Sequence, residues 1–282
     1  MSENIMLSVD GTNAMHRAHH AVPFLNYKGT PTNAITGFFA IFVKALRETK
    51  ATHCVVTFDV PGRNFRHDIY ADYKGQREKD PVKSAALRTQ TPIVAKLLMR
   101  MGITVVGRKD IEGDDIIGGI AYNHDGPAYI LSGDKDFAQL LTNKRLKLIN
   151  PNKGIIVDYK NCKEVYGIKP KHFIDYLMLD GDKIDNIPGL PGVGLKTAEK
   201  LLEEFGKAEN IPIERFPKGA QKTVKDMGKF LKLNRKLVTI QTDLYDSSDL
   251  DLSISSTDAK RFAKLCDKYG LAQTKARTLH LM

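Results

Sequence analysis

Apolar residues along this chain come in short, bounded runs, and four of the runs that read as strands end on a carboxylate or meet one a few residues later. Ile5 to Val9 is a strand signal closed by the turn signal Asp10-Gly11, and Thr12 or Asn13 supplies the N-cap of the helix that follows. Residues 32 to 47, TNAITGFFAIFVKALR, carry apolar positions at helical spacing, and Cys54 to Phe58 predicts a second buried strand ending at Asp59. Residues 63 to 83 break the pattern: aromatic and basic residues alternate without sustained apolar periodicity, which predicts an exposed segment. A helix is expected from about Thr91 to Met101, with Pro92 in its first turn and Gly102 after its end. The strand Ile103 to Val106, the helix Gly113 to Tyr122, the strand Ala128 to Leu131 and a short helix from Asp136 to Leu141 follow.

Leu146 to Ile149 and Ile155 to Val157 read as two more strands. Beyond Pro170 the chain turns mainly helical, with a Gly/Pro-rich centre at 188 to 194 and polar Ser/Asp-rich text at 243 to 258. Alternating strands and helices predict an α/β fold with a mostly parallel central sheet and helices on both faces. The expected division is an α/β core over 1 to 180 and a helical part over 181 to 282, packed as one unit.

Composition narrows the class. With 42% hydrophobic and 27% charged residues the chain suits a folded soluble protein, and its apolar runs are too short to cross a bilayer. The start, MSENIMLSVD, lacks the features of a secretion signal, so a cytoplasmic location is expected. Cys54, Cys162 and Cys266 are too scattered for a disulfide framework or a zinc cluster and read as reduced core residues. His16, His19 and His20 have the helical spacing to grip a transition metal, but with no fourth ligand nearby a helix face is the stronger reading.

The net charge of +10 points to a polyanionic partner, and the placement of the acids sharpens this. Asp10 follows one strand, Asp59 the next, Glu112, Asp114 and Asp115 a third after a brief turn, and Asp134 with Asp136 a fourth; Asp182 and Asp185 add a pair in LDGDKIDN. Setting these nine aside leaves 24 acids against 43 Lys and Arg, an acidic pit in a basic surface. Turns and caps explain any one such Asp, but not four strands in a row. In an open α/β sheet, functional groups gather beyond the carboxyl ends of the strands. Carboxylates brought together repel and are costly to bury, so such a cluster asks for cations. Oxygen-only ligands favour Mg²⁺, with Mn²⁺ able to substitute. Two such ions about 4 Å apart suit in-line displacement at a phosphodiester.

Phe65-Arg66 and Tyr73-Lys74-Gly75-Gln76-Arg77 would place cations and aromatic faces near that pit, where a phosphate needs compensating charge and an unpaired base a stacking surface. The run Gly189-Leu-Pro-Gly192-Val-Gly194-Leu-Lys196-Thr197 is not a nucleotide-binding P-loop, since Leu195 separates Gly194 from Lys196. A glycine hairpin between two helices instead leaves backbone N–H groups to hold a DNA phosphate without reading bases.

At this point the sequence resembles a family, the 5′-nuclease domain of bacterial type I DNA polymerases and the stand-alone flap endonucleases, phage ones included. The resemblance runs from residue 5 to about 245. It is carried by VDGTNAMHRAHHA, GTPTNAITGF, TFDVPGRNFRHDIYADYKGQR, IEGDDIIGGIA, LSGDKDFAQLL and GDKIDNIPGLPGVGLKTAEKLL. It implies a structure-specific 5′-3′ exonuclease and flap endonuclease using two metal ions. Asp10, Asp59, Glu112 and Asp114 match the first metal's ligands, with Asp115 beside them, and Asp134, Asp136, Asp182 and Asp185 the surroundings of the second. Arg17, Lys74 and Arg77 match basic residues that engage the scissile phosphate, the last two at the base of a helical arch over about 71 to 100. Residues of about 185 to 205 match a helix-hairpin-helix that grips duplex DNA and often binds K⁺. The implied partner is DNA with 5′ flaps or free 5′ ends, handled by a monomer alongside a separate DNA polymerase, in replication or repair. His16 stands where many relatives have Tyr or Phe. The competing readings are a junction-binding protein without chemistry and a ribonuclease of a related acidic-cluster fold.

Overall fold

The structure, a computed structural model, describes residues 4–76, 81–223, 226–255 and 257–282. Arg77, and with it part of the expected arch, lies outside the described residues. The chain opens with β1 (Met6–Asp10) and α1 (Gly11–Ala21), then a small antiparallel ribbon of β2 (Asn26–Tyr27) and β3 (Thr30–Pro31), and α2 (Asn33–Thr49). Next come β4 (His53–Thr57), α3 (Phe65–Ile69), α4 (Pro81–Arg100), β5 (Thr104–Val106), α5 (Gly113–Asn123) and β6 (Ala128–Leu131). A 3₁₀ helix at Lys135–Thr142 leads to β7 (Leu146–Asn150) and β8 (Ile155–Val157).

The six-stranded sheet runs β5-β4-β1-β6-β7-β8, parallel throughout except for β8, which pairs antiparallel with β7 at the edge. From β1 the chain winds outward to β4 and β5, then returns to the other side of β1 for β6 and β7. The strand order therefore reverses at β1, and the carboxyl ends of β4, β1 and β6 open onto a crevice there. Strands buried on both faces explain the unbroken apolar runs: all five residues of β1 are buried.

One face of the sheet is covered by α1, α2 and α4, with Phe38, Phe39 and Phe42 of α2 in its core. α11 (Ala259–Lys268) and α12 (Ala272–Thr278) close that side, burying Phe262 and Cys266. The other face packs α5 and the 3₁₀ helix against the helical C-terminal part, whose elements α6 (Cys162–Tyr166), α7 (Phe173–Asp180), α8 (Leu195–Phe205), α9 (Lys218–Thr223) and α10 (Met227–Val238) contribute to one continuous apolar core. The Ser/Asp-rich text is docked on the sheet rather than free, with the Leu252 carbonyl accepting from Cys54 N–H and a bridge between His53 and Ser253. Among the described residues no helix is long and apolar enough to cross a membrane.

Several local expectations need correction. The cap of α1 is Asp10 itself, whose side chain accepts from Asn13 N–H, so neither Thr12 nor Asn13 fills that role. The helix expected from Thr91 begins at Pro81, with Pro92 inside it. A proline's missing donor leaves the Arg88 carbonyl without its helical partner, and both residues lie on the exposed side, where water serves. Leu87 and Gln90 tie the early turns down, the Gln90 amide oxygen accepting from Ala34 and Ile35 N–H at the start of α2. The segment 63 to 83 is not wholly exposed either, since Asn64, Arg66 and Tyr73 are buried. α8 starts at Leu195, and Gly194 before it supplies no side-chain cap.

Candidate metal and phosphate site

The capping bond that starts α1 also fixes the first carboxylate. Asp10 ends the central strand, one oxygen accepting from Asn13 N–H at 2.8 Å and the other from the Ser132 hydroxyl at 2.8 Å. Thr12 and Asn13 brace the neighbouring loops instead: the Thr12 hydroxyl accepts from Asp59 N–H at 2.8 Å, and the Asn13 amide oxygen from Gly133 N–H at 3.0 Å. Asp59, just past β4, accepts from Gly113 N–H at the start of α5, beside Glu112 and Asp114. Asp134 caps the 3₁₀ helix by accepting from Asp136 N–H. Two local caps, at Asp10 and Asp134, and four bonds between loops distant in sequence thus aim three strand ends and the start of α5 at one crevice.

Asp10, Asp59, Glu112, Asp114 and Asp134 line a single open cavity of about 640 Å³, with Lys74, Lys83, Lys183 and His16 also on its walls. Asp136, Asp182 and Asp185 lie on the adjoining side, around a void of about 30 Å³ that shares Glu112 and Asp114 with the larger one. Eight of the nine predicted acids therefore border one or other of two cavities that share Glu112 and Asp114 as walls. The ninth, Asp115, faces away: it is fully buried and holds both terminal nitrogens of Arg66.

Electrostatics sort these acids into two kinds. Burial, reinforced by the charges of Asp59 and Asp134 against the Asn13 and Ser132 hydrogen bonds, raises Asp10 from 3.8 to about 7. Asp114 is pushed up by burial and then by Asp10, Asp134 and Asp59. Asp134 and Asp136 are raised as well, chiefly by loss of solvent. Glu112 goes the other way, because Lys74 and Arg66 outweigh the burial that would raise it. The cluster carries more negative charge than its own cations offset, and Asp136 Oδ1 is buried without a hydrogen-bond partner.

That donor set fits hard divalent cations: all oxygen, partly desolvated, beside a cavity with room for water. Among the described residues no three His, Cys, Asp or Glu side chains already converge to hold an ion. Mg²⁺ takes one or two carboxylates directly and keeps several waters, so a wide acidic cavity suits it better than a tight cage.

Other predicted residues are placed less simply. Lys74 reaches Glu112 directly and stands 3.8 Å from Asp185; its backbone is left-handed, φ 56°, and its N–H donates to the Asp185 carbonyl. Tyr73 has no free ring face: it is 3% exposed, and its hydroxyl donates to Glu112 and Asp185. Arg66 is equally buried and cannot meet DNA as it stands. Arg17 turns away from the acidic cavity, donating to Asn152 at 2.6 Å and lining a separate cavity of about 480 Å³ between α2 and the β7–β8 hairpin. In the glycine run, Gly189 packs against Asp180, Gly192 takes the left-handed turn at φ 80°, and Gly194 is open, followed by an exposed Lys196 and a half-buried Thr197.

Comparison with known proteins decides the family. The model of the 5′-3′ exonuclease N-terminal resolvase-like domain matches residues 5–167, and that of the 5′-3′ exonuclease C-terminal SAM fold matches 168–262. The chain belongs to the 5′-3′ exonuclease family. It is 37% identical to DNA polymerase I of Bacillus subtilis over 269 residues, covering 91% of this chain and 30% of that one. It is 35% identical to the 5′-3′ exonuclease of Aquifex aeolicus over 258 residues, covering 90% and 88% respectively. The chain thus spans between about a quarter and a third of the polymerases it matches and most of the shorter exonuclease.

Solved structures agree on the fold. The T5 5′-exonuclease, solved with divalent zinc ions, superposes with a TM-score of 0.68 at 22% identity, covering 84% of this chain and 90% of that one. The catalytic core of Rad2 in complex with DNA superposes with a TM-score of 0.57 at 19% identity, covering 99% and 92%. Within this exonuclease fold, sequence reasoning missed Ser132, which orients Asp10, and Lys183, which follows Asp182 in the chain and lines the larger cavity. Both sit inside motifs already singled out, LSGD and GDKIDN, so a polar residue flanked by the acids was the available signal.

Proposed function

We propose that this chain is a structure-specific 5′-nuclease acting on DNA with 5′ flaps or free 5′ ends, with two Mg²⁺ ions, replaceable by Mn²⁺, in the acidic cleft. One observation carries the reading: carboxylates from the ends of three adjacent parallel strands and the start of α5 line one cavity with lysines on its rim. When bound, the ions supply a water nucleophile at neutral pH and neutralise charge on the departing 3′-oxygen. The chain's own residues do the positioning. Asp10, Asp59, Glu112 and Asp114 form one ligand group, and Asp134, Asp136, Asp182 and Asp185 the other.

Lys74, held in the cleft by Glu112, is the cation offered to an entering phosphate, where it compensates negative charge as displacement proceeds. Arg77 adds to it by the family likeness. Arg17 reaches a phosphate only by leaving Asn152. The backbone of the 189–194 hairpin, with Lys196 and Thr197 at the start of α8, holds duplex phosphates, a K⁺ ion included, and leaves sequence unread. Residues 1–180 and 181–282 act as one unit, a reading supported by the core shared between β-strands and C-terminal helices; the protein works as a monomer in the cytoplasm.

Incubation with a 5′-labelled flap substrate tests the reading. Products with 5′-phosphate and 3′-hydroxyl ends are expected in Mg²⁺ and none in EDTA. Binding without cleavage in any divalent ion would favour the junction-binding alternative, and preference for RNA over flap DNA the ribonuclease one.

A further inference from the structure

Behind Glu112, off the larger cavity and at the edge of the small void, which Arg66 helps to line, lies an ion pair almost without solvent contact: the Arg66 side chain is 4% exposed and that of Asp115 0%. Nη1 and Nη2 of Arg66 donate to the two Asp115 oxygens at 2.6 and 2.9 Å. Nη1 also donates to Glu112 at 3.2 Å, while Nε and Nη2 donate to the carbonyls of Leu237 and Thr239, both at 2.9 Å. All five donors of the guanidinium are thereby used. Asp115 is completed by Gln241 N–H at 2.8 Å.

Burying such a pair is costly and does not by itself stabilise a fold, so its geometry is the informative part. The fork joins a carboxylate of the cleft to the C-terminal end of α10. On the same helix, the Asn234 amide donates to the carbonyls of Met178 and Pro188, which flank the loop carrying Asp182 and Asp185. The two groups of acids are therefore held to one helix, the first through Arg66.

We infer that Arg66, fixed by Asp115, is a positioning residue that holds Glu112 and the end of α10 in one geometry. Asp115 acts through Arg66 and not as a ligand. The inference rests on the metal-dependent nuclease reading above. Partners of this kind, bonded to a metal ligand from behind, typically change metal affinity or activity 10- to 100-fold.

The double variant Arg66→Met/Asp115→Leu removes the pair without changing net charge beside the cleft and refills the space with apolar atoms. Mn²⁺ binding to the free protein is measured by isothermal titration calorimetry, with kcat and KM on flap DNA alongside. Mn²⁺ affinity and kcat should each fall about tenfold or more, with KM for DNA within about twofold. Arg66→Lys, which keeps the charge but loses the fork, should reproduce most of that loss, and it gives the same readouts if the double variant fails to fold. A folded variant of either kind that binds Mn²⁺ and turns over like the wild type overturns the inference alone. A wild-type protein that binds no Mn²⁺ overturns the nuclease reading, and this inference with it.

Discussion

Asp114 is the acid on which most of the cleft's negative charge bears, since Asp10, Asp134, Asp59 and Glu112 all act on it once burial has raised it. Asp114→Asn should therefore lower kcat by more than about 100-fold while leaving affinity for a flap junction within about threefold; unchanged turnover in Mg²⁺ would refute the metal assignment. Lys74→Ala should lower kcat about tenfold or more at saturating DNA, and a change confined to affinity would reduce Lys74 to docking. Tyr73→Phe keeps the buried ring but removes the hydroxyl that bonds Glu112 and Asp185. A several-fold fall in kcat at constant DNA affinity is expected, and an unchanged kcat would remove the hydroxyl from the site's support.

At the scale of elements, the glycine hairpin shows how one composition serves two purposes. A methyl group on Gly189 would sit 1.9 Å from the Asp180 carbonyl oxygen, whereas one on Gly194 would meet nothing within 4 Å. Gly189→Ala should cost at least about 2 kcal/mol in denaturant unfolding, because backbone must shift to admit it, and Gly194→Ala less than about 1 kcal/mol. Equal effects would mean that the hairpin is not packed as described. Legibility differed between elements for a similar reason. The strand Ala128–Leu131 and the helix from Gly113 could be read from local periodicity, because their apolar faces are bounded by turn residues. The early turns of α4 could not, because Gln90, a polar residue, is buried by capping a helix more than fifty residues away in sequence. Pro92 then looked like a start because its exposed setting is invisible in the chain order.

For the whole molecule, the acidic cluster links stability to pH and to divalent ions. Asp10 rises from 3.8 to about 7 on folding, and Asp114, Asp134 and Asp136 rise with it, so the folded state binds more protons than the unfolded one between those limits. The Asp10 contribution is fully present below about pH 4 and is lost as pH climbs through about 7, and the raised Asp114, Asp134 and Asp136 act in the same direction. In EDTA the melting temperature should fall between about pH 5 and about pH 8, and Mg²⁺ should raise it by more at the upper end, by several degrees. A Mg²⁺ effect of equal size at both ends would sever the link. The order of residues alone was enough to say that strand after strand ends in an acid, that the sheet is mostly parallel and that a glycine hairpin follows, since each signal lies within a dozen residues. It was not enough to tell Asp114 from Asp115, adjacent and chemically identical. One borders the cavity and the other is claimed by Arg66, 49 positions away, because the turn of a helix sends neighbouring side chains in different directions and only the packed fold decides what each one meets.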